Sequence, residues 1–257
     1  MASQKKIEYV IFDMDGLMID SERVYTDVTN DILAQYGATM TWEIKAGLMG
    51  KPERAASAHL LSFFPNIPLT IDDYIAQRRV LQDARWPHVQ LLPGVERLVA
   101  HLAAHDIPIA IATGSMRRNY ELKTAHLQHV FARFGSGHVV CGDDGAAGRG
   151  KPFPDVFLAA ARTLGRAVGP NEEVKVVTEA ERDERARGLV FEDAILGVQS
   201  GKRAGMNVVW IPDENLLGVG PSQITERPDR VLHSLEDFVP EDWGLPPFDN
   251  TPKNRSE

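Results

Sequence analysis

An apolar run, Tyr9-Val10-Ile11-Phe12, breaks off at Asp13-Met14-Asp15-Gly16. Four consecutive residues without a polar face suit a strand covered on both sides, the condition of a parallel sheet. The glycine then lets the backbone turn sharply. Two carboxylates at the end of such a strand repel by about 4 kcal/mol at ~4 Å and an effective dielectric of ~20. A chain that keeps them there must bring a cation to the same place. As an ordinary Asp-rich turn the octet would carry no chemistry, so the rest of the sequence decides.

At 257 residues and 43% hydrophobic content, the chain can bury a sizeable core in one large or two modest domains. Its net charge of −8 speaks against nucleic acid or an anionic membrane as partner, while leaving room for a small basic phosphate pocket. Cys141 is the only cysteine. No intrachain disulfide can form, which fits a reducing compartment. The first strand starts near residue 7, with no room for a secretory leader, and no apolar stretch nears the ~18 residues of a membrane span. The expectation is a cytoplasmic globular protein, acting as a monomer on a small molecule.

Helical spacing follows the first strand. Helices are expected over 22–36, 42–49, 52–64 and 71–85, with Gly37 as a stop, Pro52 at a helix start and Thr70 as a cap. No strand pattern interrupts them, so residues 20–90 read as an inserted helical domain. From Pro93 helix and strand alternate: helices at 94–104, 117–127, 154–164 and 194–204, strands at 107–112, 138–141, 189–191, 207–211 and 230–232. That alternation predicts a doubly wound, Rossmann-like α/β core with a parallel sheet over 1–19 and 91–240. The polar stretch 179–187 is expected to be a solvated loop. Residues 241–257 form a partly ordered tail in which Trp243 and Phe248 pack on the body.

Ligands of open parallel sheets bind outside the carboxyl ends of the strands. At those ends stand Asp13 and Asp15, Thr113-Gly114-Ser115, Asp143 and Asp144, and Glu192 and Asp193. Singly, each could be a turn or a helix cap. Lys151, held between Gly150 and Pro152-Phe153-Pro154, is placed to aim an ammonium group rather than to float on a surface.

These pieces resemble the four motifs of the haloacid dehalogenase superfamily, in its phosphatase branch: Asp13-Met14-Asp15-Gly16, Thr113 after Ile109-Ala110-Ile111-Ala112, Lys151 in Gly-Lys-Pro-Phe-Pro-Asp, and Phe191-Glu192-Asp193. The resemblance spans residues 7–235 and makes the helical insertion the family's α-helical cap. It implies Asp13 as nucleophile, forming an aspartyl-phosphate, and Asp15 as acid and then base. It implies Mg²⁺ held by Asp13, the Asp15 carbonyl and Asp193, with Glu192 supporting that shell. Thr113, the Gly114 amide and Lys151 would hold phosphate oxygens. In this superfamily the dehalogenases lack a counterpart of Asp15 and the ion-pumping ATPases carry threonine there, so Asp15 implies a phosphatase or a sugar phosphomutase. Residues 12–23, Leu48-Met49-Gly50-Lys51 and Gly142-Asp143-Asp144 are similar to the pseudouridine-5′-phosphatase subgroup, whose relatives also act on 2-deoxyglucose 6-phosphate or glycerol phosphate. Lys51 and Arg54, on the cap, are candidates for the substrate's far end; as plain surface charges they would have no role. A non-catalytic phosphometabolite-binding protein is the reading from another class, and the intact acids and lysine count against it.

Overall fold

The computed structural model describes residues 6–48, 53–213 and 225–249. Its centre is β1 (Tyr9–Phe12), whose four residues are all buried. Around it stand β2 (Ile109–Ala112), β3 (Val139–Val140), β4 (Gly188–Glu192), β5 (Asn207–Trp210) and β6 (Arg230–Val231). The order is β3-β2-β1-β4-β5-β6, with every neighbouring pair parallel. The chain winds outward through β2 and β3, then returns to the other side of β1 with β4. The switch point therefore lies between β1 and β4, and ligands of open parallel sheets bind outside the carboxyl ends of the strands at such a point.

Alternation along the strands explains why both faces are covered. Val10, Phe12, Ile109 and Ile111 point into one apolar layer; Tyr9, Ile11, Ala110 and Ala112 point into the other, against Val156, Phe157 and Ala160. The second layer rests on α8 (Asp155–Thr163) and α10 (Ile195–Ala204). The first is closed by α5 (Val95–Ala104), α6 (Arg117–Thr124) and α7 (Gln128–Phe131).

Between β1 and β2 come α1 (Ser21–Ala34), α2 (Trp42–Leu48), α3 (Glu53–Ser62) and α4 (Ile71–Arg85), and no strand among the described residues. The Asp20 side chain caps α1 and that of Thr70 caps α4. Helix α1 packs on α4, and α3 on both α2 and α4. The chain leaves and re-enters the sheet side by side: the Asp20 N–H donates to Gln90 O (2.9 Å) and the Leu92 N–H to Met18 O (2.9 Å). Lys51 and the rest of stretch 49–52 lie outside the described residues.

The stretch read as a solvated loop is a helix, α9 (Glu179–Arg185), opened by a capping box of Thr178 and Glu181. Its Arg185 is fully buried, donating to the carbonyls of Val168 (2.7 Å), Glu172 (2.6 Å) and Pro170 (2.8 Å). Charge here satisfies a buried turn instead of facing water. At the far end of the sequence, Trp243 and Phe248 pack on the first layer. The Phe248 ring sits under the Arg97 guanidinium at 4.0 Å. No helix of the described residues is long and apolar enough to cross a membrane.

Candidate active site

Strand register builds the site. Phe12 of β1 pairs with Ile111 of β2 on one side and Phe191 of β4 on the other. Asp13 therefore leaves the sheet beside Thr113 on one flank and Glu192 and Asp193 on the other. Its N–H is held by Phe191 O at 3.0 Å, while Thr113 N–H donates to Val140 O at 3.0 Å. The polar ends of three strands thus converge because their apolar bodies are in register.

Lys151 arrives from the loop before α8 and donates to Asp13 Oδ1 and to Glu192 Oε1, the latter at 2.5 Å. Glu192 is buried, and its other oxygen accepts from Ala194 N–H at 2.8 Å. A side chain at Gly197 would overlap that carboxylate, so the helix behind it must present glycine there. Gly16, at φ +78°, also lies against an acid, and a Cβ there would fall 2.3 Å from Asp193 Oδ2; the glycine of the first motif makes room for an acid of the last.

The electrostatics call for a cation. Ligand oxygens of Asp13, Glu192 and Asp193 lie within 4.8 Å of one another. Burial pushes the Asp13 carboxyl up to about 7, with Lys151 pulling it down and Glu192 and Asp15 adding to the rise. Burial and the charges of Glu192 and Asp13 raise Asp193 well above the usual carboxylate range. For Lys151 burial acts against the charged form, but Asp13 and Glu192 outweigh it and hold the ammonium above the usual lysine range. Four carboxylates (Asp13, Asp15, Glu192, Asp193) against two ammonium groups (Lys151, Lys123) leave a formal charge of 2 − 4 = −2. Clustered carboxylate oxygens with two charges unmet fit a hard divalent cation such as Mg²⁺.

Asp15 stands apart from that cluster. Its Oδ1 accepts from Lys123 Nζ at 2.5 Å, and its Oδ2 from Ser115 Oγ at 2.7 Å and Thr113 Oγ1 at 3.4 Å. Burial would raise this carboxyl, but Lys123 and Ser115 outweigh it and hold it below the usual range. Sequence reasoning passed over Lys123. The available signal was its place on the inward face of α6, a turn after Tyr120 and a turn before Leu127, where an apolar residue is expected.

Other candidates fall away from the site. Asp143 accepts from Arg117 N–H (2.7 Å), while Asp144 accepts from the Arg117 side chain (2.5 Å) and Cys141 N–H (2.8 Å), so both serve the turn after β3. Arg54 pairs with Asp72 on the exposed surface. At Gly114, next to Thr113, a Cβ would meet nothing within 4 Å.

The chain has relatives among known proteins. The chain is 41% identical over 251 residues to "(DL)-glycerol-3-phosphatase 2" of Arabidopsis thaliana, covering 97% of this chain and 96% of that one. It is 38% identical over 245 residues to a Drosophila melanogaster protein named "Probable pseudouridine-5'-phosphatase", covering 95% and 96%. Among solved structures, a HAD family hydrolase from Deinococcus radiodurans with bound phosphate and sodium superposes with a TM-score of 0.73 at 24% identity, over 95% of this chain and 99% of that one. A HAD hydrolase from Entamoeba histolytica does so at 0.70 and 22%, over 93% and 98%. Residues 7–205 match the family model described as haloacid dehalogenase-like hydrolase, and with the parallel sheet and the convergent strand ends this places the chain in the haloacid dehalogenase-like hydrolase family.

Proposed function

We propose that the chain is a phosphatase that hydrolyses a small phosphate monoester in two steps through an aspartyl-phosphate on Asp13. The observation that carries this is the environment of Asp13: a buried carboxylate held by Lys151 at the sheet's switch point, with a second acid, Asp15, kept separately by Lys123 and Ser115. Asp13 Oδ attacks phosphorus while Asp15, which rests as a carboxylate under the donors of Lys123 and Ser115 and so first takes up a proton from solvent, passes that proton to the leaving oxygen; Asp15 then takes a proton from the water that cleaves the acyl phosphate. Thr113, the Gly114 amide and Lys151 bind the phosphate oxygens, the lysine offsetting charge on the transferring group. Asp13, the Asp15 carbonyl and Asp193 would hold Mg²⁺, with Glu192 beside them. When bound, the ion neutralises the acid cluster and helps orient the phosphate.

The substrate reading is a polyol phosphate or pseudouridine 5′-phosphate, supported by the names of the 41% and 38% identical relatives. The helices α1–α4 would serve as a cap that closes over the site, excludes bulk water and reads the leaving group. We read the protein as cytoplasmic, on the strength of a single free and buried cysteine.

The test is phosphate release with Mg²⁺ from glycerol 3-phosphate, pseudouridine 5′-phosphate, uridine 5′-phosphate and 2-deoxyglucose 6-phosphate, run beside Asp13→Asn. Turnover that vanishes in the variant supports the nucleophile, and the best ester identifies the substrate class. A wild type that releases no phosphate from any of them refutes the reading.

A further inference from the structure

Lys123 is fully buried, and its ammonium is committed to Asp15 rather than to the acid cluster around Asp13. All three of its N–H donors are committed: to Asp15 Oδ1 at 2.5 Å, to Ser115 Oγ at 3.0 Å and to Tyr25 Oη at 3.3 Å. Ser115 in turn donates to the other oxygen of Asp15 at 2.7 Å. The carboxyl is thus gripped at both oxygens by a closed triangle, leaving little rotational freedom about its bonds.

The other side of Lys123 faces the helical insertion. Its ammonium lies 4.4 Å from the centre of the Trp86 ring and 5.4 Å from that of Tyr25, contacts favourable to a desolvated cation. The two rings meet edge to face, with centroids 5.2 Å apart. Tyr25 is on α1, just after the outgoing linker, and Trp86 follows α4, just before the returning one. A lysine of the sheet domain is therefore clamped between the two ends of the insertion and hands its charge to the second acid of the first motif.

We propose that Lys123 is a positioning residue: it fixes the Asp15 carboxyl for proton transfer and, through Tyr25 and Trp86, makes that position depend on the insertion being seated. The inference rests on the role of Asp15 given above. In that step the Asp15 proton goes to the bridging ester oxygen, the P–O bond breaks with its electron pair staying on that oxygen, and the alcohol leaves neutral. An aryl ester differs in one respect: para-nitrophenolate departs as a stable anion and needs no proton.

That difference separates positioning from simple support of the fold. Lys123→Met keeps the length and the aromatic contacts while removing the charge. It lowers kcat/KM for glycerol 3-phosphate on the order of 10²-fold, the scale of general acid catalysis, and that for para-nitrophenyl phosphate by at least ~10-fold less. Added to Asp15→Asn it costs little more, because the two act as one unit. Tyr25→Phe, which removes only the hydroxyl, shifts the ratio of the two esters in the same direction by a smaller factor and guards against a Lys123 variant that fails to fold. Equal losses on both esters in Lys123→Met, or an unchanged ratio in Tyr25→Phe, overturn the proposal. Asp13→Asn assayed alongside keeps the ideas distinct: turnover surviving there overturns the nucleophile assignment, whereas ester-independent loss with Asp13→Asn inactive overturns only the role of Lys123.

Discussion

Replacing Asp193 by asparagine changes one charge among three crowded carboxyls, and the sign of its effect on stability should depend on the solution. Its ligand oxygen lies within 4.8 Å of those of Asp13 and Glu192. At that separation and an effective dielectric of ~20, each charged pair repels by about 3 kcal/mol. Without metal the protein relieves part of this by protonation, as the raised Asp13 and Asp193 carboxyls indicate. Asparagine at 193 then recovers about 2 kcal/mol in EDTA, an increase of ~4–8 °C in Tm for a chain of this size. Excess Mg²⁺ does the reverse. At a hundred times its Kd it stabilises the wild type by about 2.7 kcal/mol, and the variant, short of a ligand, gains little. Thermal unfolding of both proteins with EDTA and with Mg²⁺ gives four midpoints and one crossing. If the variant is the less stable in EDTA, or Mg²⁺ leaves the wild type unmoved, the electrostatic account of the acid cluster is wrong.

The same charges give the metal-free protein a pH dependence opposite to that of an ordinary salt-bridged acid. Asp13 titrates near 3.8 unfolded and at about 7 folded, so between those values the folded state binds the extra proton. Stability falls as pH rises through that window, by up to about 4 kcal/mol at 1.36 kcal/mol per unit. Urea midpoints in EDTA drop from about pH 4 to about pH 7, and Asp13→Asn flattens the slope; a wild type that gains stability across that range refutes the sign. Arg185→Met leaves three buried carbonyls without their donor and costs about 3 kcal/mol of stability, with KM unchanged. Chemical denaturation reads the first and steady-state kinetics the second; a loss under ~1 kcal/mol would mean water replaces the guanidinium.

Strand periodicity and the apolar run into Asp13 were enough to anticipate the sheet, because both faces are packed and the pattern is unambiguous there. The convergence of Asp13, Thr113, Lys151, Glu192 and Asp193 followed, since each sits at a strand end or loop that the topology brings together. What stayed hidden has one physical cause. Arg185 and Lys123 are cations at positions where helical periodicity expects apolar residues, and a reading that equates charge with solvent turns the first into a loop and overlooks the second. Thr178 and Glu181 signal the start of α9, while Glu, Ala and Arg all favour helix, so the capping pattern outranks hydrophobicity in such a stretch. The partners of a buried cation are long-range: Lys123 meets Asp15 across 108 positions of sequence, a separation that no local window spans.

The paired linkers have a consequence for how such a chain can change over time. Because Asp20 and Leu92 are hydrogen-bonded to Gln90 and Met18 respectively, the long excursion between them meets the sheet as if it were a tight hairpin. Lengthening or rewriting it alters neither strand order nor register, and the closure entropy grows only as the logarithm of its length. Selection can therefore redraw the inserted helices while the strand ends that carry the candidate site are inherited unchanged, with Lys123 among the points where the two must still agree.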